Sequence, residues 1–167
     1  MPKFDPWSNQ PIRLFHGTTR TNAERVYKQI DHACGRMRTD FGRGFYTTTW
    51  FDQAKSWAIN VSNGLRGEKP AVIYFDVDRL ELSLLDSLFF VRGASDAEDY
   101  WALVNHCRLA GGCHHSTKKW YDVVVGPVTA LAWRKRKTHS GFDQISFHST
   151  KAAAILDKSK KSIIDVN

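Results

Sequence analysis

The stretch DFGRGFYTTTWFDQAKSWA, residues 40–58, decides how the rest of the chain is interpreted. Two glycines, Gly42 and Gly44, come just before an aromatic pair and three threonines. Aromatic and β-branched residues favour extended backbone, so we expect a short strand over residues 44–49. A helix with small residues and a tryptophan on its apolar face is expected to begin near Thr49–Asp52. A tight turn, a strand and a helix therefore follow one another closely.

Strand and helix patterns are interspersed along the rest of the chain, with no regular βαβ alternation. We expect further strands over residues 12–15, 71–77, 121–128 and 144–149, helices opened by capping boxes at Thr21/Glu24 and Ser95/Glu98, and a short helix over 150–158. This arrangement predicts a single α+β domain over residues 1–167. The Lys-rich tail from about residue 158 is expected to be loose.

Composition indicates a globular protein, because 42 % of the residues are hydrophobic and 13 % are aromatic. No segment approaches the roughly 20 apolar residues of a membrane helix, and the start of the chain shows no signal peptide. We therefore expect a soluble cytoplasmic protein with no membrane association. Cys34, Cys107 and Cys113 form no disulfide framework. The HC at 106–107 and CHH at 113–115 match no zinc spacing, so no metal site is predicted.

The net charge of +7 favours an anionic partner, most simply nucleic acid. The positive charge is concentrated in RKRK at 134–137 and KSKKS at 158–162. A solvated basic surface that keeps the protein soluble accounts for the charge equally well.

Few segments carry a recognisable chemistry. The chain has no G-x-G-x-x-G, Walker, H-E-x-x-H or G-x-S-x-G motif. What remains is LFHGTT at 14–19, which places His16 at the end of a strand and Gly17 directly after it. A histidine in such a place is often structural, so its interpretation depends on its combination with residues 40–58.

HGTT followed by FGRGFYTTT…QAKSWA resembles the ADP-ribosyltransferase superfamily, in its His–Tyr branch of poly(ADP-ribose) polymerases and diphtheria-type toxins. YDVVVGPV and FDQISFHSTKAAAIL are similar to a bacterial family of such domains found near toxin and phage-defence genes. The resemblance spans roughly residues 12–157. It implies a split β-sandwich with peripheral helices, NAD as the substrate and a toxin-like role with an antitoxin partner.

The resemblance also implies roles for individual residues in NAD binding. His16 matches the histidine that contacts the adenosine ribose, and Gly17 matches the glycine whose backbone pairs with the nicotinamide amide. Thr18 is assigned to the same site. Tyr46 matches the tyrosine that stacks on the nicotinamide ring, and Trp57 stands where polymerase-like members carry a second aromatic residue.

Gln144 stands where the family carries its catalytic glutamate. An amide can bond the ribose 2′-OH but offers neither charge nor basicity. The resemblance therefore implies transfer of a single ADP-ribose, with His16, Tyr46 and Gln144 as catalytic residues. The alternative is a catalytically inactive module that binds NAD or nucleic acid.

The loop before Gln144, residues 133–143, faces the acceptor in this superfamily. The candidate acceptor-binding residues in this loop are Trp133, Arg134, Lys135, Arg136, Lys137 and His139. Cations beside aromatic rings suit single-stranded nucleic acid, and we favour RNA over DNA. Modification of a protein target, hydrolysis of NAD and a merely solvated basic loop remain the alternatives.

Overall fold

Seven strands and five helices are interspersed along residues 10–109 and 120–167, the part of the chain that this computed structural model describes. The strands are β1 (Ile12–Thr19), β2 (Phe45–Thr47), β3 (Pro70–Val77), β4 (Ser87–Phe89), β5 (Val123–Thr129), β6 (Thr138–Phe147) and β7 (Lys160–Asp165). The helices are α1 (Arg20–Lys28), α2 (Phe51–Asn63), α3 (Arg79–Ser83), α4 (Glu98–Leu109) and α5 (Thr150–Lys158). The expected α+β class is confirmed.

The strands form two sheets that meet at one point. Sheet A has the order β1-β3-β7 and is antiparallel; sheet B has the order β2-β6-β5-β4, in which only β4 and β5 run parallel. A bridge between Phe15 of β1 and Thr48 just after β2 connects the two sheets. The edge of sheet A is thereby held against the edge of sheet B.

The main core lies where both sheets meet α5. It combines side chains from sheet A, sheet B and α5, such as Phe75, Phe147 and Leu156. A second cluster packs α4 against the other face of sheet B, and a third packs α2 against the other face of sheet A. The chain thus has helices on both faces of its bent pair of sheets.

Helix boundaries follow local caps. The helix over residues 150–158 is confirmed as α5. α1 begins before Thr21 because the side chain of Thr19 accepts the Asn22 N–H and caps the helix. α4 begins at Glu98 rather than at Ser95, since residues 95–96 form a turn, and the Glu98 carboxylate is paired with Arg136. None of the described helices is long and apolar enough to span a membrane.

The basic loop and the Lys-rich tail both contain strand residues that were not expected. The basic loop ends at Thr138, where β6 begins. Between the pairs Pro127–Asp143 and Thr129–Thr138 the register shifts, so residues 139–142 bulge from the sheet. The expectation of a loose tail is wrong, because β7 pairs with β3 along residues 160–165. Its apolar residues account for this order, since Ile163 packs against the main core and Ile164 against the cluster below α2.

Candidate functional site

The two sheets separate immediately after the bridge between Phe15 and Thr48. Their backbones exchange two hydrogen bonds, of 2.8 and 2.9 Å. A continued antiparallel ladder would pair Gly17 with Tyr46 next. Instead, Nδ1 of His16 lies 2.6 Å from the carbonyl oxygen of Tyr46. The imidazole thus occupies the place of a ladder hydrogen bond, and we call the interval between β1 and β2 beyond this point, where their backbones are no longer paired, the gap.

Gly17 presents a polar backbone edge to this gap. The N–H and C=O of Phe15 both point away from β3, toward Thr48, and strand alternation directs those of Gly17 to the same side. A Cβ atom on Gly17 would lie 1.9 Å from the carbonyl oxygen of Ala54 in α2. Only glycine allows this close approach of helix and strand. The gap therefore offers one donor and one acceptor side by side, the pattern that binds a carboxamide.

His16 has a neutral imidazole, and its Nε2 has no hydrogen-bond partner among the described residues. A carbonyl oxygen only accepts, so Nδ1 carries the proton that bonds Tyr46. Burial lowers the pKa of His16 and outweighs the bond to Tyr46, which raises it. The ring packs on Phe45 with centroids 4.4 Å apart. In this tautomer Nε2 is a hydrogen-bond acceptor.

Strand pairing places Gly17, Tyr46 and Gln144 on one face of the joined sheets. Residues directly opposite in a ladder point to the same side, and every second residue follows. Thr48 stands opposite Phe15, and Tyr46 stands opposite Ser146, two residues from Gln144. The side chain of His16 alternates to the opposite face of β1, where it packs on Phe45 of the main core.

The hydroxyl group of Tyr46 is held by the loop that precedes it. It donates to the carbonyl oxygen of Gly42 at 2.7 Å, and it accepts the Phe41 N–H at 3.1 Å. Thr39 Oγ1 lies 2.8 Å away. Burial raises the pKa of Tyr46 far above its ordinary value. The partly exposed ring is therefore the part of Tyr46 that a ligand can contact.

Gln144 belongs to a buried polar cluster. Its Nε2 lies 2.8 Å from Oδ2 of Asp40 and 2.8 Å from the carbonyl oxygen of Pro127. Asp40 is only 3 % exposed and also binds Arg108 and Thr129. Asp40, Arg108 and Thr129 could not be predicted as part of the site, because nothing in the sequence links an aspartate to an arginine 68 positions away.

Trp57 and Thr18 differ in accessibility. Trp57 lies on α2, three residues beyond the Ala54 that contacts Gly17, and 51 % of it is exposed. Its ring is thus available to a ligand, whereas Ala54 and Ala58 hold the helix against the sheet. Thr18 is buried on β1 and adjoins the site without reaching solvent.

Two of the predicted acceptor-binding residues are occupied by intramolecular contacts. Arg136 binds the Glu98 carboxylate and the carbonyl oxygen of Ser95. The Trp133 ring is partly buried and lies 5.3 Å from the guanidinium carbons of both Arg108 and Arg134. These two side chains shape the loop and leave its exposed cations to face solvent.

The remaining acceptor-loop residues are exposed. Lys135 and Lys137 form no ion pair with any residue in the described ranges. His139 packs on Phe142 with centroids 5.2 Å apart, and Trp50, at the start of α2, packs edge-on against the same ring at 5.9 Å. The bulge of β6 thus carries an exposed aromatic cluster two residues before Gln144.

A cavity of about 570 Å³ lies on the opposite side of the bridge. Its lining includes Leu14, Leu82 and Ile145 but none of the residues that the sequence assigns to NAD. No group of metal-ligating side chains occurs within residues 10–109 and 120–167. The CHH at 113–115 lies outside these ranges.

The family profile that matches the chain is described as "Protein of unknown function (DUF3990)" and covers residues 12–131. This stretch includes His16, Tyr46 and Trp57 but ends before Gln144. No curated protein and no solved structure matches the chain.

Proposed function

This chain belongs to the DUF3990 family, and we propose that it is an NAD-dependent mono-ADP-ribosyltransferase with the gap beside Gly17 as its nicotinamide site. One observation carries the proposal: the ladder between the sheets stops where Gly17 would pair, so its N–H and C=O face the gap. The superfamily resemblance of the two motifs supports the same assignment.

A nicotinamide group satisfies this backbone edge. Its carboxamide oxygen accepts the Gly17 N–H, and its NH₂ group donates to the Gly17 carbonyl. The ring carries a positive charge in NAD, and the rings of Tyr46 and Trp57 attract it by stacking and cation–π interaction, about 0.5–2 kcal/mol each. Nε2 of neutral His16 accepts a hydrogen bond from a hydroxyl group of the adenosine ribose.

The reaction breaks the bond between the nicotinamide nitrogen and C1′ of the ribose. The bonding electrons leave with nicotinamide, which becomes neutral, and positive charge develops on the ribose as in glycoside cleavage. Gln144 accepts a hydrogen bond from the 2′-OH and fixes the sugar. The acceptor nucleophile then bonds to C1′ and loses its proton to solvent. Because Gln144 has no basicity, a good nucleophile is required, which favours a single transfer.

We propose single-stranded RNA as the acceptor. The bulge before Gln144 carries the aromatic cluster of His139, Phe142 and Trp50, with exposed Lys135 and Lys137 nearby in sequence. Phosphate neutralisation together with base stacking binds single strands with little sequence preference. A base in a single strand is also accessible to C1′ of the ribose, whereas pairing hides it.

Incubation with NAD labelled in its adenylate phosphate tests the proposal. Release of nicotinamide should accompany transfer of label to single-stranded RNA, and His16→Ala should reduce both. Asp76→Asn, which breaks an ion pair with Arg13 on sheet A, is the control. Label on protein alone would identify a protein target, and nicotinamide release without transfer would identify hydrolysis. Binding of NAD without release would identify an inactive binding module.

A further inference from the structure

The side-chain amide of Gln144 has a fixed orientation. Its close polar neighbours are Oδ2 of Asp40 and the carbonyl oxygen of Pro127, each 2.8 Å from Nε2. Both neighbours can only accept, so the nitrogen must face them and both of its hydrogens are used. Oε1 therefore points away from them. No described residue donates to it, although only 7 % of Gln144 is exposed.

Asp40 is itself held from several sides. Its Oδ1 accepts from Nε of Arg108 at 2.6 Å and from Oγ1 of Thr129 at 2.7 Å. Its Oδ2 accepts the Thr129 N–H at 2.9 Å as well as the amide of Gln144. The carboxylate cannot rotate without breaking these bonds. Its position, and that of the amide it binds, is thus determined by α4 and β5.

We propose that Asp40 is a positioning residue that locks the Gln144 amide so that Oε1 accepts the ribose 2′-OH of NAD. This inference rests on the proposed function. A buried acceptor without a hydrogen bond costs free energy, and a donor that binds to it removes this cost. The ribose 2′-OH is such a donor. Locked in this way, the amide offers the same acceptor as a carboxylate would, without its charge.

Because Asp40 accepts a hydrogen bond from Nε2, glutamate should be a poor substitute for Gln144. Gln144→Glu places a carboxylate against Oδ2 of Asp40, and Arg108 is the one cation in contact with Asp40 among the described residues. The facing hydroxyls of Tyr46 and Tyr100 stay neutral, because burial raises the pKa of each. Two adjacent carboxylates share a proton, so the pKa of the pair is raised. When it is protonated, the introduced carboxyl group can donate its one hydrogen to Asp40 and keeps that bond of the amide but not the bond to Pro127; when it is ionised, it loses both.

Nicotinamide release from NAD, measured from about pH 5.5 to 8.5, tests the inference. Gln144→Glu should act within about 3-fold of the wild type at the acid end and should lose about 10-fold per pH unit above the raised pKa of the pair. Asp40→Asn sets its NH₂ group against another donor, either Nε of Arg108 or Nε2 of Gln144 together with the Thr129 N–H, so the Gln144 amide is held less firmly. Its kcat should fall at least about 10-fold while KM changes less than about 3-fold. Asp76→Asn is the control for loss of an Asp–Arg pair.

Wild-type kcat in Asp40→Asn, or full activity of Gln144→Glu at pH 8.5, would overturn the inference. A purely structural Asp40 would lower thermal stability without this split between kcat and KM. If Asp40→Asn does not fold, the pH profile of Gln144→Glu decides.

Absence of nicotinamide release in the wild type contradicts the proposed function instead. The lock then still predicts that the Gln144 side-chain amide protons exchange slowly in NMR spectra, and rapid exchange would overturn it.

Discussion

His16 donates its Nδ1 proton to the carbonyl oxygen of Tyr46 across 2.6 Å, at the position where a continued ladder would pair Tyr46 with Gly17. Backbone pairing between the two sheets thus stops where this side-chain hydrogen bond forms. The backbone of Gly17 therefore faces the gap. Tyr46 lies on the other side of the gap, and α2 packs closely on Gly17 through Ala54. The proposed nicotinamide site is a consequence of this single substitution of a side chain for a backbone partner.

The neutral state of His16 gives folding a pH dependence. Burial lowers the pKa of His16 in the folded protein below the value of about 6.5 in the unfolded chain. Its contribution to stability is therefore present above that unfolded pKa and is lost as the pH falls through the folded pKa. We expect the difference in melting temperature between the wild type and His16→Gln to shrink from pH 7.5 to pH 5. A difference that grows on acidification would show that His16 is protonated in the folded state.

Gly17→Ala should disrupt both folding and NAD binding. The new methyl group would lie 1.9 Å from the Ala54 carbonyl oxygen, so α2 must move away from β1. Such overpacking costs about 1–3 kcal/mol or more. Gly64→Ala is the matched control, because its nearest atom would be 3.8 Å away. Urea denaturation of both variants measures the effect, and equal stability would refute the close approach.

Trp57→Ala should weaken NAD binding and leave stability nearly unchanged. Half of the side chain is exposed, so little packing is lost. Loss of one stacking partner costs about 0.5–2 kcal/mol, or roughly 2- to 30-fold in Kd. Leu65→Ala, at an equally exposed apolar side chain, is the control. Calorimetric titration with NAD would contradict the stacking role if both variants bind like the wild type.

The double change Lys135→Ser and Lys137→Ser should reduce RNA labelling at about 0.15 M salt and flatten its salt dependence. Both side chains are free to meet phosphates, whereas Arg136 is bound to Glu98. Nicotinamide release should be unchanged, because neither lysine lies in the proposed NAD site. If the double variant labels RNA at the wild-type level at every salt concentration, the basic loop does not contribute to binding of the acceptor.

Strong local patterns predicted most of the fold. The periodicity of residues 150–158 and the β-branched run of β3 were sufficient to assign those elements. β7 was missed because two lysines and a serine precede its only two apolar residues, Ile163 and Ile164, and the strand is stabilised by pairing with β3. The position of Gly17 at a sheet junction likewise depends on long-range pairing.

The candidate site was only partly accessible to sequence reasoning. The motifs identified His16, Tyr46 and Gln144, but the partners of their polar atoms come from distant segments. The Tyr46 hydroxyl is used by its own loop, and the Gln144 amide is used by Asp40. Neither bond follows from motif spacing, because each depends on how loops fold over sheet B.

The most direct test of the account is a titration of ¹⁵N-labelled protein with nicotinamide, followed through the backbone amide resonances. We predict a saturable shift of the Gly17 amide, accompanied by a shift at Tyr46, and we expect the Tyr46 shift to be lost in Gly17→Ala, whose α2 is displaced. An unchanged Gly17 resonance, with shifts confined to the cavity around Leu14 and Leu82, would contradict the nicotinamide site.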